Sequence, residues 1–147
     1  MRTLTDALHN HGGTTEYTTK DGKVLKVRFL DLRGMSEYEC RLQNRAMKKL
    51  TEQKEHISKE TFNEMFSQLL DKIATGHYAF GSELCAKSLP TVQGITDLVS
   101  IMCNVTTDDA LDLLITEGDA FKMLIDNVLR KSIGSKDDEV KDSQGNE

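Results

Sequence analysis

The chain has 147 residues, enough for one compact domain and too few for two of ordinary size. Hydrophobic residues make up 37 % of it, and with only five Phe, three Tyr and no Trp the core must be mainly aliphatic, which favours packed helices over an aromatic-rich sandwich. The net charge of −5 argues against a protein that mainly coats nucleic acid, because neutralising phosphates requires a cationic surface.

A β-hairpin is predicted over residues 14–30, where two runs rich in β-formers flank a turn at Lys20-Asp21-Gly22. Along the second run apolar residues alternate with cations, namely Leu25, Val27 and Phe29 with Lys26 and Arg28. One face should therefore be apolar and the other solvated. Because a hairpin of this size is only marginally stable alone, we expect it to lie on the helical body or to pair with another chain.

From Ser36 onward the hydrophobic period is that of α-helices. Ser36 and Glu39 form a predicted capping box, so we expect the first helix to begin at Ser36 and to fade near residues 54–56. Ser58 is the predicted N-cap of a second helix, which Gly76 should end. In residues 76–90 we expect only a short helix at 82–87 and a break at Pro90.

Three further helices are predicted in the C-terminal half, the first capped by Thr91, the second opened by Thr106, and the third placed between Gly118 and Gly134. The expected buried side of the first consists of Val92, Ile95, Leu98, Val99 and Met102. The second carries the apolar residues Ala110, Leu111, Leu114 and Ile115, and the third carries Phe121, Leu124, Ile125, Val128 and Leu129. Residues 135–147 hold five acidic residues, two basic ones and a single aliphatic, too little apolar surface to order themselves.

The predicted fold is therefore mainly α with a small N-terminal β-hairpin. We expect a compact bundle of about four to five helices in one domain over residues 1–134, with the helical body at 36–134 and a disordered acidic tail at 135–147. The N-terminus has no apolar run typical of a signal peptide, and no apolar stretch approaches the roughly 20 residues of a membrane span. Three cysteines without a close pair are typical of reduced thiols, so a cytoplasmic protein is expected.

The sequence offers no residue pattern typical of a metal centre or an enzyme. His9 and His11 are close together but have no further ligand at zinc spacing. Cys85 follows His77 by eight residues, whereas Cys103 beside Met102 is interpreted as a small core residue. We therefore predict no catalytic residue, no metal and no cofactor.

Two interaction patterns leave alternatives open. Residues 107–131 have the order of a helix–turn–helix regulator, but the net charge of −3 over 106–132 opposes approach to DNA. The stretch Arg41–Lys49 is locally basic and is interpreted as a solvated helix face or as a docking face for an acidic partner. A small acidic adaptor or inhibitor protein also remains an alternative.

The order of elements carries a family resemblance. A hairpin leads through Leu30-Asp31-Leu32-Arg33-Gly34-Met35 into a charged helix at 36–54. Near the other end, residues 106–119 contain Leu113-Leu114 and then Gly118-Asp119, followed by an amphipathic helix and an acidic tail. This arrangement resembles the tail assembly chaperones of long-tailed, siphovirus-type bacteriophages.

The resemblance implies a non-enzymatic role in virion morphogenesis, in the host bacterial cytoplasm. Such chaperones bind the tape measure protein, keep it soluble and help to recruit tail tube protein. The family often makes a longer product by ribosomal frameshifting, and the junction would here fall in residues 135–147. No nucleic-acid or membrane partner is implied, and a homo-oligomer is compatible with the resemblance.

Candidate contact residues follow from physical arguments alone. The strongest apolar stripe is the candidate client-binding surface: Phe62, Met65, Phe66, Leu69 and Ile73. An intramolecular core is the open alternative for this stripe. The second strand is the candidate self-association edge, with residues Val24, Leu25, Val27 and Phe29, because the backbone groups of an edge strand need partners.

Overall fold

The computed structural model describes residues 13–133, and this part of the chain forms a two-stranded hairpin and six helices. The strands are β1 (Thr14–Thr18) and β2 (Val24–Arg28). The helices are α1 (Leu32–Gln53), α2 (Lys59–Ala74), α3 (Glu83–Ser88), α4 (Val92–Cys103), α5 (Thr107–Glu117) and α6 (Asp119–Ile133). The predicted mainly helical fold with an N-terminal hairpin is confirmed, and the short α3 brings the helices above the predicted four to five. The predictions for His9, His11, Gly134 and the acidic tail lie outside the described residues.

The chain divides into two compact units, and the division falls within α1 and α4. Unit 1 comprises the described residues 13–34 and 98–133, with the hairpin, α5 and α6. Unit 2 comprises residues 35–97, with most of α1, all of α2 and α3, and the first half of α4. The prediction of a single domain stays a prediction.

The hairpin has the predicted alternation of faces. Its strands are antiparallel, with Tyr17 opposite Leu25 and Thr15 opposite Val27. Val27 is buried, whereas Lys26 and Arg28 are exposed. At the turn Gly22 adopts a positive φ of 89°, and Thr19 N donates to the Lys23 carbonyl at 2.8 Å. The turn chemistry of Asp-Gly thus sets the register that places one apolar face inward.

That apolar face packs on α6 in unit 1. The Tyr17 ring meets the Phe121 ring edge-on, with centroids 5.1 Å apart, and Leu30 N donates to Ser132 Oγ at 2.9 Å. The hydrophobic core of the unit consists of Val27, Leu30, Leu98, Val99, Met102, Cys103, Ala110, Phe121, Ile125 and Val128. Burial against a helix supplies the stability that an isolated hairpin lacks.

The predicted start of α1 at Ser36 is wrong, because the helix begins four residues earlier. Asp31 Oδ1 accepts a hydrogen bond from Gly34 N at 2.8 Å and caps the helix, so Ser36 lies in its second turn. Gly34 permits close packing, since a Cβ there would lie 2.7 Å from Leu30 Cδ1 and 3.4 Å from Ile101 Cγ2. The Asp-x-x-Gly cap therefore prevails over the Ser-x-x-Glu pattern.

The predicted boundaries of α2 are confirmed. Ser58 Oγ accepts from Thr61 N at 3.1 Å. At the other end Gly76 N donates to the Ile73 carbonyl and His77 N to the Lys72 carbonyl, a Schellman motif in which Gly76 has a φ of 80°.

The remaining N-caps follow the sequence as well. Ser82 caps α3, because its hydroxyl accepts from Cys85 N. The Thr91 hydroxyl accepts from Gly94 N at the start of α4, and the Thr106 hydroxyl accepts from Asp109 N at the start of α5. None of the helices in residues 13–133 is long and apolar enough to cross a membrane.

The predicted buried side of α4 is wrong at Val92, and the apolar residues of α5 divide between two faces. Val92 is 71 % exposed and Ile115 70 % exposed, because Val92 is the first residue of its helix and the inward face of α5 carries other side chains. That inward face contains Ala110 and, seven residues on, the carboxylate of Glu117. Leu111 and Ile115, one turn apart, lie on the outward face.

Candidate binding groove and its supports

The sequence left two interpretations of the α2 stripe open, a client-binding surface and an intramolecular core, and the structure has features of both. Leu69 is buried, as a core residue would be, whereas four side chains keep partial exposure, namely Phe62, Met65, Phe66 and Ile73. The Phe62 and Phe66 rings are stacked, with centroids 6.1 Å apart, and Lys54 Nζ lies 5.4 Å from the Phe62 centroid. The stripe therefore faces the interior of unit 2 without being fully covered.

An open groove of about 250 Å³ lies between α1 and α2, beside this stripe. One wall is formed by the α1 side chains Ala46, Lys49, Leu50 and Gln53. The other wall is formed by the α2 side chains Met65, Gln68, Leu69 and Lys72, and Tyr78 completes the lining. Two of the five predicted stripe residues, Met65 and Leu69, thus line a concave surface within one unit.

Both walls use the same helical spacing. On each helix the lining residues stand at positions i, i+3, i+4 and i+7, which share one face of an α-helix. In both walls apolar side chains occupy two of these positions and polar ones the other two. The groove therefore combines apolar surface with a polar rim, as is typical of sites that receive an amphipathic helix.

The charge of the lining is entirely positive. Lys49 and Lys72 are the charged residues that line the groove, and both are exposed. Within residues 13–133 neither lysine lies at ion-pair distance from a carboxylate. The basic stretch that the sequence suggested as a docking face for an acidic partner thus contributes Lys49 to this rim.

A buried ion cluster holds α1 against α4 within unit 2. Asp97 is only 4 % exposed, and its carboxylate accepts from Arg41 Nη1 at 3.4 Å and from Arg45 Nη2. Arg41 also pairs with Glu37 at 3.1 Å, one turn earlier in α1. The solvated face predicted for this part of α1 is therefore wrong at Arg41 and Arg45, whose side chains are about a quarter exposed.

The segment after α2 is anchored by Tyr38 and Glu39 of α1. Tyr38 is fully buried, its hydroxyl is hydrogen-bonded to Ser88 Oγ at 2.6 Å, and its burial raises its pKa. Phe80 N donates to Glu39 Oε1 at 2.6 Å, and the Phe80 ring meets the Tyr38 ring edge-on. These contacts order a segment that the sequence left largely unassigned and hold Tyr78 at the groove.

A second buried carboxylate lies in unit 1. Glu117, 7 % exposed, accepts from the Tyr17 hydroxyl at 3.0 Å and from Lys20 N at 3.2 Å. Loss of solvent raises the pKa of Tyr17, and the hydrogen bond to the Glu117 carboxylate adds to the effect. This contact ties the hairpin to the end of α5, and no signal in the sequence marked Glu117 as buried.

The candidate self-association edge is divided by the structure. Val24 is 60 % exposed and Leu25 and Phe29 are half-buried, but Val27 is fully buried in the unit 1 core. The side chain of Val27 therefore contributes nothing to a surface. One edge of β2 pairs with β1, and its other edge has no strand partner among residues 13–133. Association through this free edge stays a prediction.

The cysteines divide by burial. Cys103 is buried, as predicted, and burial raises its pKa to about 12. Cys85 is also buried and its pKa is raised for the same reason, whereas Cys40 is exposed. His77, considered beside Cys85 in the sequence, packs edge-on against Tyr78. Within the described part of the chain, no group of three or more His, Cys, Asp or Glu side chains is placed to hold a metal ion.

No family model matches the chain, and neither a curated protein nor a solved structure shows significant similarity to it.

Proposed function

We propose that this chain is a tail assembly chaperone of a long-tailed bacteriophage. It binds the tape measure protein without catalysing a reaction, keeps that protein soluble and helps to recruit tail tube protein. The observation that carries the proposal is the open groove between α1 and α2, which lies beside an apolar stripe that unit 2 covers only in part. The order of elements in the sequence supplies the resemblance to the family.

A groove of this kind suits a client that is long, helical and apolar on one face. Amphipathic helices bind by inserting side chains one or two turns apart into a hydrophobic groove. Because the groove is small and open, each copy would bind weakly, and many copies could coat one client and be displaced as the tail tube grows. The net charge of −5 would oppose aggregation of the coated complex through repulsion between like charges.

Affinity capture from phage-producing cells tests this function. We expect the tagged full-length chain to recover a very large helical protein together with tail tube subunits, identified by mass spectrometry. Recovery of a host enzyme or of DNA, without any tail component, would contradict the proposal and favour the adaptor or the regulator.

A pair of variants relates the capture to the stripe. Phe62→Ser removes a half-buried ring of α2 and should lower recovery of the client several-fold. Val92→Ser removes a 71 % exposed side chain of the same unit and should leave recovery unchanged. Circular dichroism of both variants verifies that they remain folded.

A further inference from the structure

We propose that the α1–α2 groove selects helices whose apolar face is flanked by carboxylates. The inference rests on the proposed function in one respect, namely that the partner is a helical protein, and it adds the chemistry by which a segment of that partner is chosen. It follows from the size of the groove, from its spacing and from its charge.

The size of the groove favours inserted side chains over an enclosed ligand. Sites that enclose a small molecule commonly have volumes of about 300–1,000 Å³. The groove measures about 250 Å³ and is open to solvent along one side. It therefore has room for a few side chains from a partner helix that itself stays outside.

The apolar residues of the groove have the spacing of a contact with another helix. Leu50 and Leu69 are buried at its base, and Ala46 and Met65 stand one turn before them on their helices. Two apolar residues one turn apart on a partner helix would meet this surface along its length. Met65 is unbranched and adapts to side chains of different shape, which suits a client with many similar segments.

The rim supplies the selectivity for charge. Lys49 and Lys72 stand on opposite walls, and within residues 13–133 neither has a carboxylate at ion-pair distance. The acidic residues of α2, such as Glu64 and Asp71, do not line the groove. Carboxylates on either side of the partner's apolar face would reach both ammonium groups, whereas lysines there would meet two like charges.

The overall charge of the protein makes the test decisive. With a net charge of −5, unspecific attraction favours a basic peptide over an acidic one. The proposed groove predicts the reverse order. A preference for the acidic peptide therefore reports a local site and not the field of the whole molecule.

The experiment uses two synthetic helical peptides with the same leucine and alanine stripe, flanked by Glu in one and by Lys in the other. Binding to the full-length protein is measured by fluorescence anisotropy at low salt and at 0.5 M salt. We expect the Glu-flanked peptide to bind about tenfold more tightly at low salt. The difference should shrink at 0.5 M, because screening weakens exposed charge pairs.

A matched pair of double variants locates the preference. Lys49→Glu with Lys72→Glu should reverse the preference. Lys48→Glu with Lys59→Glu makes the same change in net charge at exposed positions of α1 and α2 that do not line the groove, and it should keep the preference. Thermal unfolding of both double variants verifies that folding is unchanged.

Several outcomes would overturn the inference. These are equal affinity for the two peptides, no binding of either, a preference that survives Lys49→Glu with Lys72→Glu, and an equal loss in both double variants. The proposed function fails separately, since client capture that is insensitive to the groove charges leaves the chaperone role intact. Conversely, peptide selection without any captured tail protein supports the groove and contradicts the phage client.

Discussion

The two units bury a carboxylate in opposite ways. In unit 2, Asp97 faces two guanidinium groups, those of Arg41 and Arg45. In unit 1, Glu117 is satisfied by neutral donors, the hydroxyl of Tyr17 and the backbone N–H of Lys20. Both acids are less than a tenth exposed.

The difference shows what each contact can tolerate. An ion pair depends on the charge of both partners, and removal of one partner leaves the other desolvated. A carboxylate bound by neutral donors depends mainly on having an acceptor oxygen at the right place. Loss of one charge should therefore destabilise the ion cluster of unit 2, whereas the Glu117 contact positions the hairpin in unit 1 by geometry.

The largest expected effect concerns the two buried thiols, one in each unit. Cys85 in unit 2 and Cys103 in unit 1 should react with a thiol reagent at least about 1,000-fold more slowly than the exposed Cys40, because their labelling requires opening of the fold. Mass spectrometry of partially labelled protein gives the three rates. Equal rates for Cys85 and Cys103 over a urea series would show that the units open together, and divergent rates would show that they open separately.

Gly94 should be the most sensitive backbone position of unit 2. A Cβ there would lie 1.9 Å from the Ser88 carbonyl oxygen and 2.9 Å from the Tyr38 hydroxyl, so Gly94→Ala forces helix α4 away from α3. We expect a loss of roughly 3 kcal/mol or more in the free energy of unfolding, measured with urea.

Gly34→Ala in unit 1 is the comparison for that variant. The nearest atom to its added Cβ is the end of the flexible Leu30 side chain, and alanine is favoured over glycine in a helix by about 1 kcal/mol. We expect a change within about 1 kcal/mol of zero. Similar losses for the two variants would contradict the packing at Gly94.

Asp97→Asn and Glu117→Gln compare the two buried acids directly. Asp97→Asn removes the charge opposite two arginines and should lower the free energy of unfolding by about 2–3 kcal/mol, somewhat less than for fully buried pairs because the arginines are partly exposed. Glu117→Gln keeps an acceptor oxygen for Tyr17 and Lys20 and should cost about 1 kcal/mol. Urea unfolding of both variants measures the two losses in the free energy of unfolding. A larger loss for Glu117→Gln than for Asp97→Asn would contradict the view that charge matters more at Asp97 than at Glu117.

The last expected effect is an alkaline loss of stability. Burial raises the pKa of Cys103 to about 12. The contribution of the buried neutral thiol to the free energy of unfolding is therefore fully present below the unfolded thiol pKa of about 8.5 and is lost as the pH rises towards 12. Between pH 8.5 and 10 we expect a decline of roughly 1.5 kcal/mol in the free energy of unfolding from Cys103, and Cys103→Ala should make the decline smaller. Cys40→Ala removes an exposed thiol and is the control, and an unchanged slope in Cys103→Ala would show that other groups cause the decline.

The helix ends show where local sequence suffices. Ser58, Thr91 and Thr106 cap helices as their side chains predict, and Gly76 ends α2 through its positive φ. The exception is α1, where both Asp31 and Ser36 are competent N-caps. In the structure Asp31 makes the cap, because its carboxylate accepts from Gly34 N.

The candidate site was predictable only in part. The apolar stripe of α2 was evident from its period, and the basic character of α1 was evident around Lys49. Which α1 face meets α2 was not evident, because both helices have several residues at compatible spacing. The exposure of Ile115 and the burial of Glu117 were not predicted either, because the sequence does not show which face of α5 packs inward.

Local backbone preference and the spacing of apolar residues were enough to predict the mainly helical class, the hairpin with its inward face, most of the helix ends and the burial of Cys103. Three features came from the packing of the helices: the burial of Asp97 and Glu117, the need for a residue without a side chain at Gly94, and the placement of Lys49 and Lys72 across one groove. Each of these depends on residues at least 20 positions apart in the chain or on a close approach of two backbones, and neither leaves a periodic trace in the sequence.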